Sequence, residues 1–122
     1  MLVNCLAVGA GGALGTILRY LLFSLFPLRS NAFPLITLGI NIIGAFFIGL
    51  IVATAGKNTN FDPRLLLFLR VGICGGFTTF SAFSVESMEM LQNSKTIAAI
   101  TYMMLSVILC ISSVGFAQAL VK

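Results

Sequence analysis

The side chains able to do chemistry in this chain are polar groups set singly into apolar runs. Asn41 stands inside one such run, with Thr37 four residues before it and Gly44 three after, so the three share a helical face. A buried amide is costly in an apolar surrounding unless it finds partners. Its two N–H donors suit an anion; they equally suit an interhelical hydrogen bond, typically worth about 0.6 kcal/mol. Tyr102, Ser106, Cys110 and Ser113 follow one another at steps of four, four and three. That stripe reads either as a track of donors or as the small-residue contact common between membrane helices. Phe80 and Phe83 flank Ser81; their rings either pack in core or lipid, or turn their electropositive edges toward a small anion. Arg19 lies about two turns before Pro27, where it either serves a function at membrane depth or snorkels to the interface. Glu86 and Glu89 stand at i and i+3, solvated at an interface or, for Glu86, facing a vestibule.

The third apolar run has an unusual centre, Gly72-Ile73-Cys74-Gly75-Gly76-Phe77-Thr78-Thr79-Phe80-Ser81-Ala82-Phe83-Ser84. Adjacent glycines followed by two threonines are poor helix formers. The run spans residues 63–90, and a straight helix of that length would rise about 42 Å against a hydrocarbon core of about 30 Å. A break near the middle is expected. Non-helical backbone at membrane depth persists only where protein or a wet cavity satisfies it. Carbonyls freed there could bind a cation; the competing reading is a glycine notch for helix packing.

The elements that position these residues follow from composition. Of 122 residues, 59% are hydrophobic and 8% charged, with no histidine and three acids. A soluble domain is about 25% charged, so this chain cannot cover a water-facing surface. Acid–base enzymology lacks its imidazole and nearly all its carboxylates. The seven basic residues are scattered singly, which is no nucleic-acid footprint. Cys5, Cys74 and Cys110 all lie in apolar runs, and an odd count there argues against a disulfide framework. The start, Met1-Leu2-Val3-Asn4, has no basic region, so the first apolar stretch is expected to be retained rather than cleaved.

Four runs, at about 2–26, 35–55, 63–90 and 96–121, each reach the roughly 20 residues that a spanning helix needs. The expected fold is an all-α integral membrane protein, one membrane domain over 1–122 with four transmembrane helices and a break in the third. Pro63 suits a first helical turn and Asp62 an N-cap. Gly11 and Gly15, with Gly12 beside them, form a close-packing face in the first helix. Lys57, Arg64, Arg70 and Lys122 fall toward one face of the membrane and Arg19, Arg29 and Lys95 toward the other. With no clear positive-inside excess, a fixed orientation with weak bias and insertion both ways stand side by side. In the second case two inverted copies make an antiparallel dimer. Four helices are few to enclose a polar path, so transport implies an oligomer.

The segment Gly75-Gly76-Phe77-Thr78-Thr79-Phe80-Ser81-Ala82-Phe83-Ser84-Val85-Glu86 closely resembles the signature of the Fluc/CrcB fluoride channels. Gly15-Thr16-Ile17-Leu18-Arg19-Tyr20 is similar to that family's first-helix arginine motif, and Thr37-Leu38-Gly39-Ile40-Asn41-Ile42-Ile43-Gly44 to its second-helix asparagine motif. The resemblance covers the whole chain in order, length and helix count. It implies a fluoride-selective channel in a bacterial inner or plasma membrane, exporting fluoride passively and conferring fluoride resistance. It implies an antiparallel dual-topology homodimer with two fluoride pathways. Asn41 would donate in the pore, Phe80 and Phe83 would form an aromatic box, and Tyr102 and Ser106 a polar track. Ser81, Ser84, Thr37 and Glu86 would be further members of that track, with Arg19 associated with the pore. The backbone carbonyls of Gly75 and Thr78 would hold a structural sodium ion at the dimer interface. Cys110 stands where a hydroxyl is expected, and Ala82 lacks one that some members carry. The alternative, a small dual-topology multidrug exporter, needs an acid deep in the first span, and that span offers only Arg19.

Overall fold

The computed structural model describes residues 1–27 and 33–122. Arg29, counted above among the basic residues of the first loop, lies outside the described residues. The described chain is helical throughout its spans: α1 (Leu2–Leu25), α2 (Leu35–Lys57), a third span built from several pieces, and α6 (Thr96–Leu120). The third span begins with the turn α3 (Pro63–Leu66), continues as a π-helical stretch π1 (Leu67–Cys74) and the single turn α4 (Gly75–Phe77), and resumes as α5 (Phe80–Gln92). Among the described residues, four helical segments are long and apolar enough to cross a membrane, the third running Pro63–Gln92. Only 11% to 33% of each span's most apolar window is buried within the chain, so lipid or another copy must cover the remainder.

Local chemistry sets the starts and stops. The Asp62 carboxylate accepts from the Arg64 N–H at 2.7 Å, capping the turn that Pro63 opens. At the other end of the third span the Lys95 N–H closes on the Met90 carbonyl and the Ser94 N–H on that of Leu91. This is the reversed-chain cap in which glycine is usual; here Ser94 takes the left-handed conformation, φ 60°.

The expected break is present but lies one turn later than the glycines. Gly75 and Gly76 stay helical, and the chain extends only at Thr78 (ψ 156°) and Thr79 (φ −149°, ψ 114°). The glycines instead let helices touch. A Cβ on Gly11 would meet the Phe68 carbonyl oxygen at 2.3 Å, one on Gly15 the Ile73 carbonyl oxygen at 2.2 Å, and one on Gly76 the Gly12 carbonyl oxygen at 2.5 Å. The α1 glycine face thus seats on π1 and α4, backbone against backbone, as small-residue motifs allow in lipid. The packing notch is present at Gly72 and Gly76, whereas a Cβ on Gly75 would meet no atom of α1, only the Arg70 carbonyl oxygen at 3.9 Å.

On the opposite side, parallel helices α2 and α6 pack closely. Ser113 Oγ donates to the Ile42 carbonyl at 3.0 Å, and Lys57 Nζ caps the Val121 carbonyl at the shared C-terminal end. Lys57 and the end of α6 therefore lie on one membrane face, as the charge count supposes.

Candidate functional site

The break is held open by one side chain. In a continuous helix the Thr79 N–H would bond the Gly75 carbonyl; here it donates to Asn41 Oδ1 at 2.8 Å. Asn41 Nδ2 in turn donates to the Thr79 carbonyl at 3.1 Å. The Ala82 N–H, which would close on the Thr78 carbonyl, donates to Thr79 Oγ1 at 3.1 Å, so Thr79 is the N-cap of α5. Both exchanges free a carbonyl, those of Gly75 and Thr78. Gly44 makes room for this arrangement, since a Cβ there would strike the Thr78 methyl at 2.2 Å.

Beside the break lies a cavity of about 410 Å³. Asn41, Gly75, Thr78, Phe80, Phe83 and Ser106 all line it. These are expected site residues from three different helical spans, brought to one place. Cys74, Thr79 and Cys110 complete its polar and thiol-bearing lining, and Ala45, Ile48, Val107 and Ile111 its apolar walls. No charged side chain is among the described lining residues. Phe80 and Phe83 stack tilted with centroids 5.3 Å apart, and Phe80, 79% exposed, stands at the open edge.

The remaining expected residues form a second cluster. Glu86 accepts from Thr37 Oγ1 at 2.5 Å through one carboxylate oxygen and from the Tyr102 hydroxyl at 2.6 Å through the other. Thr37 and Tyr102 are fully buried. The clusters meet through rings: Tyr102 lies 5.2 Å from Phe83, centroid to centroid.

An inventory of donors separates the expected residues further. The Thr37 and Tyr102 hydroxyls are spent on Glu86. Ser84 Oγ donates back to the Phe80 carbonyl at 2.9 Å, and Ser81 shares a hydrogen with Thr79 Oγ1 at 3.1 Å. Ser81 and Ser84 are exposed and do not line the cavity. Arg19 is half-buried on α1, whose glycine face packs on the third span, and it too lies away from the cavity lining. Besides the weakly donating thiols, two donors remain among the described lining residues. One is the second Asn41 amide hydrogen. The other is the Ser106 hydroxyl, buried in a residue only 8% exposed and without a hydrogen-bond partner. An orphaned buried hydroxyl is rare enough to demand a reason.

Thr79 and Cys74 are the site residues that motif reading passed over. Thr79 carried a signal, a threonine three residues before Ala82 at a helix start, which is the N-cap spacing. Cys74 carried none, since its place in the wall depends on the π-helical winding of Leu67–Cys74.

A family model described as CrcB-like protein, Camphor Resistance (CrcB), matches residues 6–118. The chain belongs to the CrcB family. Among similar proteins, one from Ruminiclostridium cellulolyticum is 38% identical over 122 residues, covering 99% of this chain and 94% of its own. One from Geobacter sulfurreducens is 41% identical over 111 residues, 90% of each chain, and one from Nitrobacter hamburgensis is 43% identical over 109 residues, 88% of this chain and 86% of its own. The first two are named fluoride-specific ion channel FluC and the third fluoride-specific ion channel FluC 1. Membership of CrcB and four spanning helices make the chain a multi-pass membrane protein and no enzyme, and they set the multidrug-exporter reading aside.

The freed carbonyls bear on the cation that the family resemblance implies. Gly75 and Thr78 each present a backbone oxygen relieved of its helical donor, within one turn of the same break. Neutral oxygens of this kind are the donor set that hard monovalent cations take in broken membrane helices, so the residues present fit sodium.

Proposed function

We propose that the chain is a fluoride-selective channel that lets fluoride leave the cell passively and so confers fluoride resistance. The observation that carries this reading is the Ser106 hydroxyl, buried and unpartnered in an uncharged cavity that Asn41 and two phenyl rings also line. Fluoride is small and strongly hydrated, and entry to a narrow site requires close donors to replace its water. Ser106 and the free amide hydrogen of Asn41 are such donors, and neither carries a fixed charge. Binding is then favourable enough to enter and weak enough to leave, as conduction demands. The rims of Phe80 and Phe83 add the electropositive edge of the ring quadrupole, and the apolar walls offer nothing to a larger halide. An inside-negative potential favours anion exit by about 2.3 kcal/mol per 100 mV, so no energy source is needed.

The working unit is an antiparallel homodimer. The near balance of basic residues permits insertion in both orientations, and the open edge at Phe80 leaves the cavity incomplete in one copy. An inverted second copy closes it and gives two pathways. The carbonyls of Gly75 and Thr78 would hold sodium at that interface, where the ion would supply positive charge to backbone oxygens left without helical donors. Thr37, Tyr102 and Glu86 form the vestibule end of each track, with the carboxylate orienting both hydroxyls; Ser81 and Ser84 border the break, and Arg19 sits beside the pore.

Purified protein in liposomes loaded with potassium fluoride tests this. Addition of a potassium ionophore should release fluoride rapidly, and an equal chloride release would refute selectivity.

A further inference from the structure

Two hydroxyls of the expected track are already in use. Glu86, half-buried on α5, accepts from Thr37 Oγ1 at 2.5 Å through one carboxylate oxygen and from the Tyr102 hydroxyl at 2.6 Å through the other. These are the lengths of hydroxyls donating to an ionised carboxylate. Both donors are firmly placed. Thr37 is 1% and Tyr102 0% exposed. The Tyr102 ring lies against Phe33 and Phe83, with centroids 5.5 and 5.2 Å away. The helices that supply the donors, α2 and α6, both pack against α5. Ser106, whose hydroxyl is unpartnered, follows Tyr102 by one helical turn on the same face of α6.

Chemically, the carboxylate is an anion seated on two neutral donors. Its oxygens are hard, charged acceptors, as fluoride is. Each hydroxyl has one hydrogen to give, so an ion moving between Ser106 and Tyr102 must compete with Glu86 for it. The carboxylate charge also repels a second anion at close range. Donors left open would hold fluoride tightly, whereas conduction requires that the ion leave. A competitor on a tether meets that requirement.

We propose that Glu86 is a built-in substitute for fluoride: its carboxylate yields the Thr37 or Tyr102 hydroxyl to the arriving ion and reclaims it as the ion departs. Glu86 thereby sets how tightly fluoride is held and how fast it is released. The release half rests on the channel reading; the exchange of acceptors at the two hydroxyls does not require the ion to cross.

The test uses the full chain carrying Tyr20→Phe. The chain has two tyrosines and no tryptophan, and Tyr20 is 68% exposed, so Tyr102 then supplies the only phenolic near-ultraviolet band. Potassium fluoride added to this protein in detergent should shift the band, and potassium chloride at the same concentration should not. This measurement keeps Glu86 in place and is free of folding effects. Glu86→Gln, added to the same chain, removes the charge and leaves one acceptor oxygen. It should lower the fluoride midpoint of the band shift at least threefold. In liposomes its release rate at saturating fluoride should fall at least threefold, because the ion departs without a competitor. A band that ignores fluoride, or a midpoint unchanged or raised by Glu86→Gln, overturns the exchange. A lowered midpoint with undiminished release overturns the release role. If the chain with Glu86 releases no fluoride from liposomes, yet its band responds and Glu86→Gln lowers the midpoint, the channel reading fails and the exchange stands.

Discussion

Asn41 bonds both backbone polar groups of Thr79, accepting from its N–H at 2.8 Å and donating to its carbonyl at 3.1 Å. One amide therefore replaces the helical partners that the break removes, and it still keeps one hydrogen for the cavity. Of the two uses the sequence leaves open, the interhelical bond is present, and the remaining hydrogen leaves room for the proposed donor role in the pore.

Asn41→Ile removes both. The Thr79 peptide loses its partners at membrane depth, where each buried unsatisfied group costs about 1–3 kcal/mol. Fluoride release should fall at least tenfold. Asn41→Asp keeps the acceptor for the Thr79 N–H but loses the donor and adds negative charge. It should fold better than Asn41→Ile in a thermal-unfolding assay and conduct no better.

Ser106→Ala should divide stability from transport. The hydroxyl has no partner to lose, so the unfolding midpoint should stay constant or rise slightly, while fluoride release falls severalfold. Ser113→Ala is the mirror case. It deletes the bond to the Ile42 carbonyl, worth about 0.6 kcal/mol in lipid, and should lower stability with transport near normal. If Ser106→Ala conducts fully, the donor role assigned to Ser106 is wrong.

Phe80→Ile keeps bulk and hydrophobicity but removes the ring edge. With Phe80 at the open margin of the cavity, the substitution should abolish flux and leave the dimer peak on gel filtration unchanged. A variant that conducts normally would show that the ring edge plays no part.

Gly15→Leu should fail for a purely steric reason. Even a Cβ there would lie 2.2 Å from the Ile73 carbonyl oxygen, a backbone atom that cannot step aside. Loss of folded protein from membranes is the expected result, whereas Gly9→Leu, with nothing within 4 Å, should express normally.

Replacing sodium with a large organic cation during purification addresses the Gly75 and Thr78 carbonyls. Cross-linking yield or dimer elution should decline, and restored sodium should recover it.

Much of this was legible in the residues. Hydropathy located four spans to within two residues at their ends, because lipid leaves few alternatives for a long apolar run. The Asp62-Pro63 start and the Gly11–Gly15 face carried local signals of their own. The position of the break did not. The glycines and threonines together marked a break near the middle of the run without saying which would extend; Gly76 packs on α1, and the extended backbone falls to Thr78-Thr79, where Asn41 receives it. The π-helical winding of Leu67–Cys74 had no sequence signature either. This stretch packs against α1, and its last residue, Cys74, lines the cavity. Motif reading also set Tyr102 with Ser106 in one polar track and Thr37 and Glu86 as further members of it, and only the geometry reveals that Glu86 already engages Tyr102 and Thr37.

The most direct measurement is anion release from liposomes loaded with equal potassium fluoride and potassium chloride, followed with fluoride- and chloride-selective electrodes after a potassium ionophore is added. A fluoride channel empties its vesicles of fluoride within seconds while chloride stays inside until detergent releases it. Chloride leaving in step with fluoride, or both anions retained, would contradict the account.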